Sequence, residues 1–410
     1  MLLQSGNLAS LNNIEILHKK GTILMHHRLF QVIGWELRKL IKQRILCLLV
    51  FIYPLLFIFL FVYMYHAGVI TQVPIAVVDQ DTTKSSRLLI QQVAASPQLQ
   101  VAERYQDLTS AKHALIKGDV YAVLFIQHEF EKDLIAGHQP EVVAFYNNQY
   151  MSAGTIIFRT MSSALKTANS QIVLQGLLEK GIASPVAQSQ MQTIPTSLHP
   201  LYNPTLNYLY TLISGLIPTI LQIIIMMAMV TSITRDRFTG TGYQQILQLA
   251  NHNIFIFLLG RIIPYFIYFL FCLILFDTVL IANFNLPLNG HLILLILGDI
   301  GFILTSCLYG IFFGLTGSTL AQAYGTASLV ASPAFGFTGL IFPRIAMNTF
   351  AYIWSALLPV TWYIQIRLDQ TLRSPNIVTS LQPFVYLVIQ LSVMAILVYL
   401  FLRKIRRRLI

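Results

Sequence analysis

A polytopic α-helical membrane protein is the fold class this sequence predicts, and three observations predict it. Of 410 residues, 55% are hydrophobic and 10% charged, against roughly a quarter charged in soluble chains. Six segments are apolar over the length, about 20 residues, that a helix needs to cross the hydrocarbon core. The net charge of +11 gathers at the ends: Lys19, Lys20, Arg28, Arg38, Lys39, Lys42 and Arg44 precede the first apolar run, and Arg403, Lys404, Arg406, Arg407 and Arg408 follow the last. Excess Lys and Arg beside spans mark the cytoplasmic side, so both termini are expected inside, and a nucleic-acid surface is not the reason for the charge.

Residues 1–44 form a cytoplasmic N-terminus. Over 26–44, Leu29, Val32, Ile33, Leu37, Leu40 and Ile41 recur at helical spacing, with Arg28, Gln31, Arg38, Lys39 and Lys42 largely opposite. That pattern predicts an amphipathic helix lying in the membrane interface. The first span is 45–65, too long and too far from the start for a signal peptide.

Residues 66–205 differ in kind. Ten acidic residues stand against nine Lys and Arg, and the stretch is long enough for a core of its own. Short apolar runs at 74–78, 99–102, 121–126 and 142–146 alternate with helical patterns at 85–95, 109–117 and 128–136. This predicts an α/β domain outside the cytoplasm, inserted between the first two spans. A long helix is expected from Met151 to about Glu179.

The remaining spans are expected at 206–234, 254–282, 292–317, 319–342 and 384–402, within a membrane region of 206–402. The fifth span, 319–342, is the weakest, since Gln322, Gly325, Ser328, Ser332, Pro333 and Gly336 make it small and polar. Omitting it would put the terminal arginines outside, so charge decides where hydropathy hesitates. Between it and the last span, 343–382 is expected to lie outside, with short helices dipping into the interface where Tyr352, Trp354, Trp362 and Tyr363 concentrate. A basic cytoplasmic tail, 403–410, ends the chain.

No GxxxxGK[ST] string is present, so this chain has no P-loop for a nucleotide phosphate. HExxH, GxSxG and EF-hand patterns are absent as well, and no catalytic, metal or cofactor-binding residues are expected. Cys47, Cys272 and Cys307 all fall in apolar runs and offer no CxxC. Three intramembrane charges stand out. Arg261 lies about two turns inside the third span, close enough to its end to snorkel. Asp277 and Asp299 sit in the outer halves of the third and fourth spans with no cation at the same depth. A carboxylate there costs about 2.5–3.5 kcal/mol on insertion scales, so each is expected to face a cavity, find a polar partner or stay protonated. The loop 234–250 is the longest polar stretch between spans on the cytoplasmic side. Ile246, Leu247 and Leu249 are expected to pack against a partner there, with Arg235, Asp236 and Arg237 at the rim.

Several strings together resemble the ABC type-2 permease family, the membrane subunits of ATP-binding-cassette exporters: PIAVVDQDTTKSSRLLIQQVAASPQLQV (74–101), LIKGDVYAVLFIQHEFEKDLIAG (115–137), LYNPTLNY (201–208), and TSITRDRFTGTGYQQILQLA (231–250) followed by GRIIPYFIY (260–268). The resemblance implies that 234–250, with its Arg235, Asp236, Arg237, Gly240, Thr241, Ile246 and Leu247, docks together with the N-terminal amphipathic helix on a separate ATPase subunit that binds the ATP. It also implies a second permease copy or sister permease, and a place in the bacterial inner membrane. The domain at 66–205 would offer a surface to a periplasmic adaptor. The expected function is export of a drug-like amphiphile, lipid or similar substrate. The alternatives are a proton-coupled secondary exporter, for which no inverted repeat is visible, and a mechanotransmission subunit, which would carry fewer spans after its outer domain.

Overall fold

The structure is a computed structural model that describes residues 26–136, 138, 140–148, 151–179, 202–238 and 242–409. It divides into two units, one formed by Met1–His66 with Tyr208–Ile410 and the other by Ala67–Asn207.

The first unit begins with α1, residues 26–42, and α2, Arg44–Met64. Pro54 has no N–H for the carbonyl four residues back and its ring crowds that turn. The helix widens into a π turn over Leu48–Ile52 just before it.

The second unit runs β1 (Val73–Asp79), α3 (Lys84–Ala94), β2 (Leu99–Tyr105), α4 (Leu108–Lys117), β3 (Ala122–Ile126), α5 (Phe130–Ile135), β4 (Val142–Tyr146) and α6 (Met151–Glu179). The four apolar runs are its four strands. Their order is β2-β1-β3-β4, with β1 parallel to both β2 and β3, and β4 antiparallel to β3. Parallel neighbours need crossover connections, which α3 and α4 supply. Both helices start on side-chain caps: Thr83 accepts from the Ser86 N–H, and Asp107 from the Ser110 N–H. The bond from the Ser110 backbone, reinforced by the Ser110 hydroxyl, holds the Asp107 carboxyl below the usual carboxylate range. Ile157, Met161, Ala164 and Ala168 of α6 close one face of the core against Leu89, Ile90 and Val93.

The first unit resumes with α7 (Leu209–Arg237), α8 (Gly242–Leu249), α9 (Ile254–Phe284), α10 (Leu292–Thr316), α11 (Leu320–Ala331), α12 (Ala334–Phe337), α13 (Thr349–Leu357), α14 (Pro359–Leu368, continued by a π turn over Asp369–Arg373) and α15 (Ile377–Leu409). Among the described residues five helices, α2, α7, α9, α10 and α15, are long and apolar enough to cross a membrane. The bundle centres on α7 and α10, which approach so closely that a Cβ at Gly310 would stand 2.5 Å from the Met226 carbonyl oxygen. Only a glycine tolerates that contact, because the obstacle is backbone.

Two expectations need correction. The segment 319–342 is not one spanning helix. Its α11 has 12 residues, about 18 Å of rise against a core of about 30 Å, and a turn at Ser332 and Pro333 separates it from α12. Nor does 343–382 keep to the periphery. Val360, Thr361, Tyr363, Ile364, Ile366 and Arg367 of α14 are all buried, because Pro359 breaks the chain after α13 and turns the next helix into the bundle.

Candidate coupling site and a second buried charge cluster

The first cluster is built where α1 meets the end of α7 and the start of α9. Helix α1 docks on a narrow stripe of Val32, Glu36 and Leu40, all fully buried, and leaves Phe30 and Ile41 exposed. Spacing by four brings these three onto one face. A Cβ at Gly260 of α9 would lie 2.4 Å from Val32 Cγ1, so the glycine is what lets α1 seat there. The Glu36 carboxylate accepts from Arg235 Nη2 at 2.8 Å and from the Tyr265 hydroxyl at 2.9 Å. Arg261 donates to the Asp236 carboxylate and to the Ser232 carbonyl. Arg235 Nε lies 3.5 Å from Asp236 Oδ1. Two guanidinium groups and two carboxylates therefore close a neutral, buried set. The Trp35 ring lies between the cations, 5.5 Å from the Arg235 guanidinium and 5.7 Å from that of Arg261.

Burying four charges costs several kcal/mol per ion unless each is paired and hydrogen-bonded. Here the geometry supplies the pairs, so the knot specifies one seat for α1 more than it adds stability. Arg237, the next turn's cation, donates to the carbonyls of Leu315 at 2.7 Å and Gly317 at 2.6 Å. It thereby fills acceptors that the end of α10 leaves open.

Just beyond, α8 turns Ile246 and Leu247 into the bundle core, where they are 0% and 4% exposed. Gln244, Gln245 and Gln248 face outward. His27, Arg28, Gln31 and Trp35 of α1 line an open groove with Gln245, Gln248 and Leu249 of α8. The expected division of labour is thus inverted. Arg235, Asp236 and Arg237 are internal braces and not a rim, Ile246 and Leu247 are internal anchors, and the glutamines form the free face. Arg261 does not snorkel, since Asp236 satisfies it inside. Gly240 and Thr241 lie outside the described residues.

The second cluster lies toward the other end of the bundle, about 24 Å along α9 from Arg261 to Asp277 at 1.5 Å per residue. Arg367 of α14 forms an ion pair with Asp277 of α9. Tyr363, one turn earlier, donates to Asp299 Oδ1 of α10 at 2.6 Å, and its hydroxyl accepts from Arg367 Nη1 at 3.4 Å. Phe276 covers the guanidinium at 4.8 Å and Phe302 stacks on Tyr363 at 4.5 Å. Both aspartates do have a partner set, and it comes from the segment expected outside. The sequence reading missed Glu36, Tyr265, Tyr363 and Arg367. Glu36 carried a signal, an acid four residues from Val32 and from Leu40 on a helix otherwise rich in cations. Arg367, four residues after Tyr363, gave no sign that its helix turns inward.

The family model for ABC-2 family transporter proteins matches residues 44–400. The chain belongs to the ABC-2 transporter family. A stretch of 145 residues is also 29% identical to a linearmycin resistance permease protein, LnrN, of Bacillus subtilis (strain 168), covering 35% of this chain and 37% of that relative. The chain thus matches little more than a third of that relative's length. In keeping with that family, the described residues contain several helices long and apolar enough to cross a membrane.

Proposed function

We propose that this ABC-2 permease is the membrane half of an ATP-driven exporter that moves an amphiphilic small molecule out across the bacterial inner membrane, with both termini cytoplasmic. The observation that carries the reading is the buried knot of Glu36, Arg235, Asp236 and Arg261. It makes α1, the end of α7 and the start of α9 move as one piece beside the exposed glutamines of α8. A force applied to α1 and α8 by a docked ATPase would therefore reach two spanning helices without loss in flexible connectors. A relative that is named for linearmycin resistance supports a toxic small molecule as substrate.

Six membrane passes follow if α11 and α12 together make the short, broken fifth one. Two copies, or this chain and a sister permease, would then enclose a path with two ATPases, and the α/β unit would lie outside, available to an adaptor. The test is ATP-dependent uptake of substrate into inside-out vesicles containing the permease and its ATPase. Transport should vanish when the ATPase carries a disabled P-loop. Uptake that persists on a proton gradient alone would replace this reading by the proton-coupled one.

A further inference from the structure

Helix α14 is tied to most of the bundle. The Val360 N–H donates to Gln222 Oε1 of α7 at 2.9 Å, and the Gly290 N–H, from the loop between α9 and α10, donates to the Gln370 carbonyl at 2.8 Å. Trp362 stacks on Tyr386 of α15 at 4.1 Å. With the Asp277 and Asp299 contacts, four spanning helices hold one short buried helix.

The charges within this arrangement are uneven, for one guanidinium faces two carboxylates. Arg367 uses only Nη1, while its Nε and Nη2, Oδ2 of Asp299 and Oδ1 of Asp277 are buried without a hydrogen-bond partner, Asp277 Oδ1 meeting the guanidinium as an ion pair alone. The Tyr363 hydroxyl stands between them, in contact with both Arg367 and Asp299. A fully satisfied structural pair would leave none of these atoms idle.

We infer that Arg367 is a two-position contact, held by Asp277 in this conformation and taken over by Asp299 in another, so that α14 changes its hold from α9 to α10 during transport. The inference rests on the transporter reading. A guanidinium keeps its charge, and stripping a buried one of its only carboxylate is strongly unfavourable. Helix α14 can therefore leave α9 only where a second acceptor waits within reach. Asp299, one hydroxyl away and with an unused oxygen, is that acceptor. Asp277, Asp299 and Tyr363 are positioning residues in this scheme and do not touch substrate.

The test is a double-mutant cycle on the purified full chain, Asp277→Asn, Asp299→Asn and the pair, read by thermal unfolding and, in cells, by export. Asn keeps the shape and removes the charge. Each single variant leaves Arg367 one carboxylate and should lower Tm by no more than about 4 °C, on the scale where 1 kcal/mol is worth about 2–4 °C. The double variant leaves none and should fall further than the sum of the singles. Each single variant should also cut export at least tenfold, because the contact is fixed on one side, and Asp299→Glu should restore it. Additive Tm losses, or wild-type export by Asp299→Asn, would overturn the inference. Should the wild-type chain prove to export nothing, the transporter reading fails, while the Tm cycle still reports whether the two carboxylates share one cation.

Discussion

At the scale of single residues, the account rests on charges that are buried and paired. Arg261 is fully buried, with Asp236 as its carboxylate. Breaking a buried pair by removing one partner costs about 3–5 kcal/mol, so Arg261→Gln should melt well below wild type in detergent. Arg261→Lys should restore only part of the loss, because an ammonium cannot span the Ser232 carbonyl and Asp236 as the planar fork does. Asp236→Asn combined with Arg261→Gln should melt higher than Arg261→Gln alone, since the single variant leaves two carboxylates, Glu36 and Asp236, to share the one guanidinium of Arg235. Gly260 allows a separate check through packing. Gly260→Leu puts side-chain atoms where Val32 sits, and α1 should then become open to limited proteolysis while the rest of the bundle stays protected. Equal protection of α1 in wild type and variant would remove Val32 and Gly260 as its seat.

At the scale of elements, α8 shows most clearly how far the sequence was legible. Its position between two spans and its apolar pair, Ile246 and Leu247, were readable from the sequence. Whether that pair faced a partner or its own bundle was not, because an amphipathic helix does not say which apolar surface it meets. Leu247→Asp buries a carboxylate without a partner, so it should lower Tm and yield of the permease itself, before any ATPase is added. An unchanged melt would return Leu247 to an outer surface. The strands were legible for a similar local reason: β1 and β3, buried on both faces, read as unbroken apolar runs. Helix α14 was not legible. Its Trp and Tyr suggested an interface, and only tertiary folding brings Arg367 to Asp277, 90 residues away in sequence. The segment 319–342 failed for another reason, since the charge argument counts crossings and does not say whether a crossing is one helix or is broken, as here at Ser332 and Pro333.

At the scale of the whole molecule, the described residues hold five helices long enough to span, the broken α11–α12 segment and the inward α14, with two charge clusters at opposite ends of the bundle. Cysteines introduced at Asp133 and Asn376 should react with an impermeant reagent added from outside, and those at Gln244 and Arg403 should not. Labelling at Arg403 would place the tail outside and reduce the passes to an odd number. The central claim, that the exposed face shared by α1 and α8 receives the ATPase, is tested most directly by co-purification. Gln245→Arg with Gln248→Arg adds bulk and two cations to the exposed side of the groove between α1 and α8. An ATPase co-expressed with this variant should be recovered at least tenfold less than with wild type, with the Tm of the permease unchanged. Recovery equal to wild type would contradict the account and move the docking surface elsewhere.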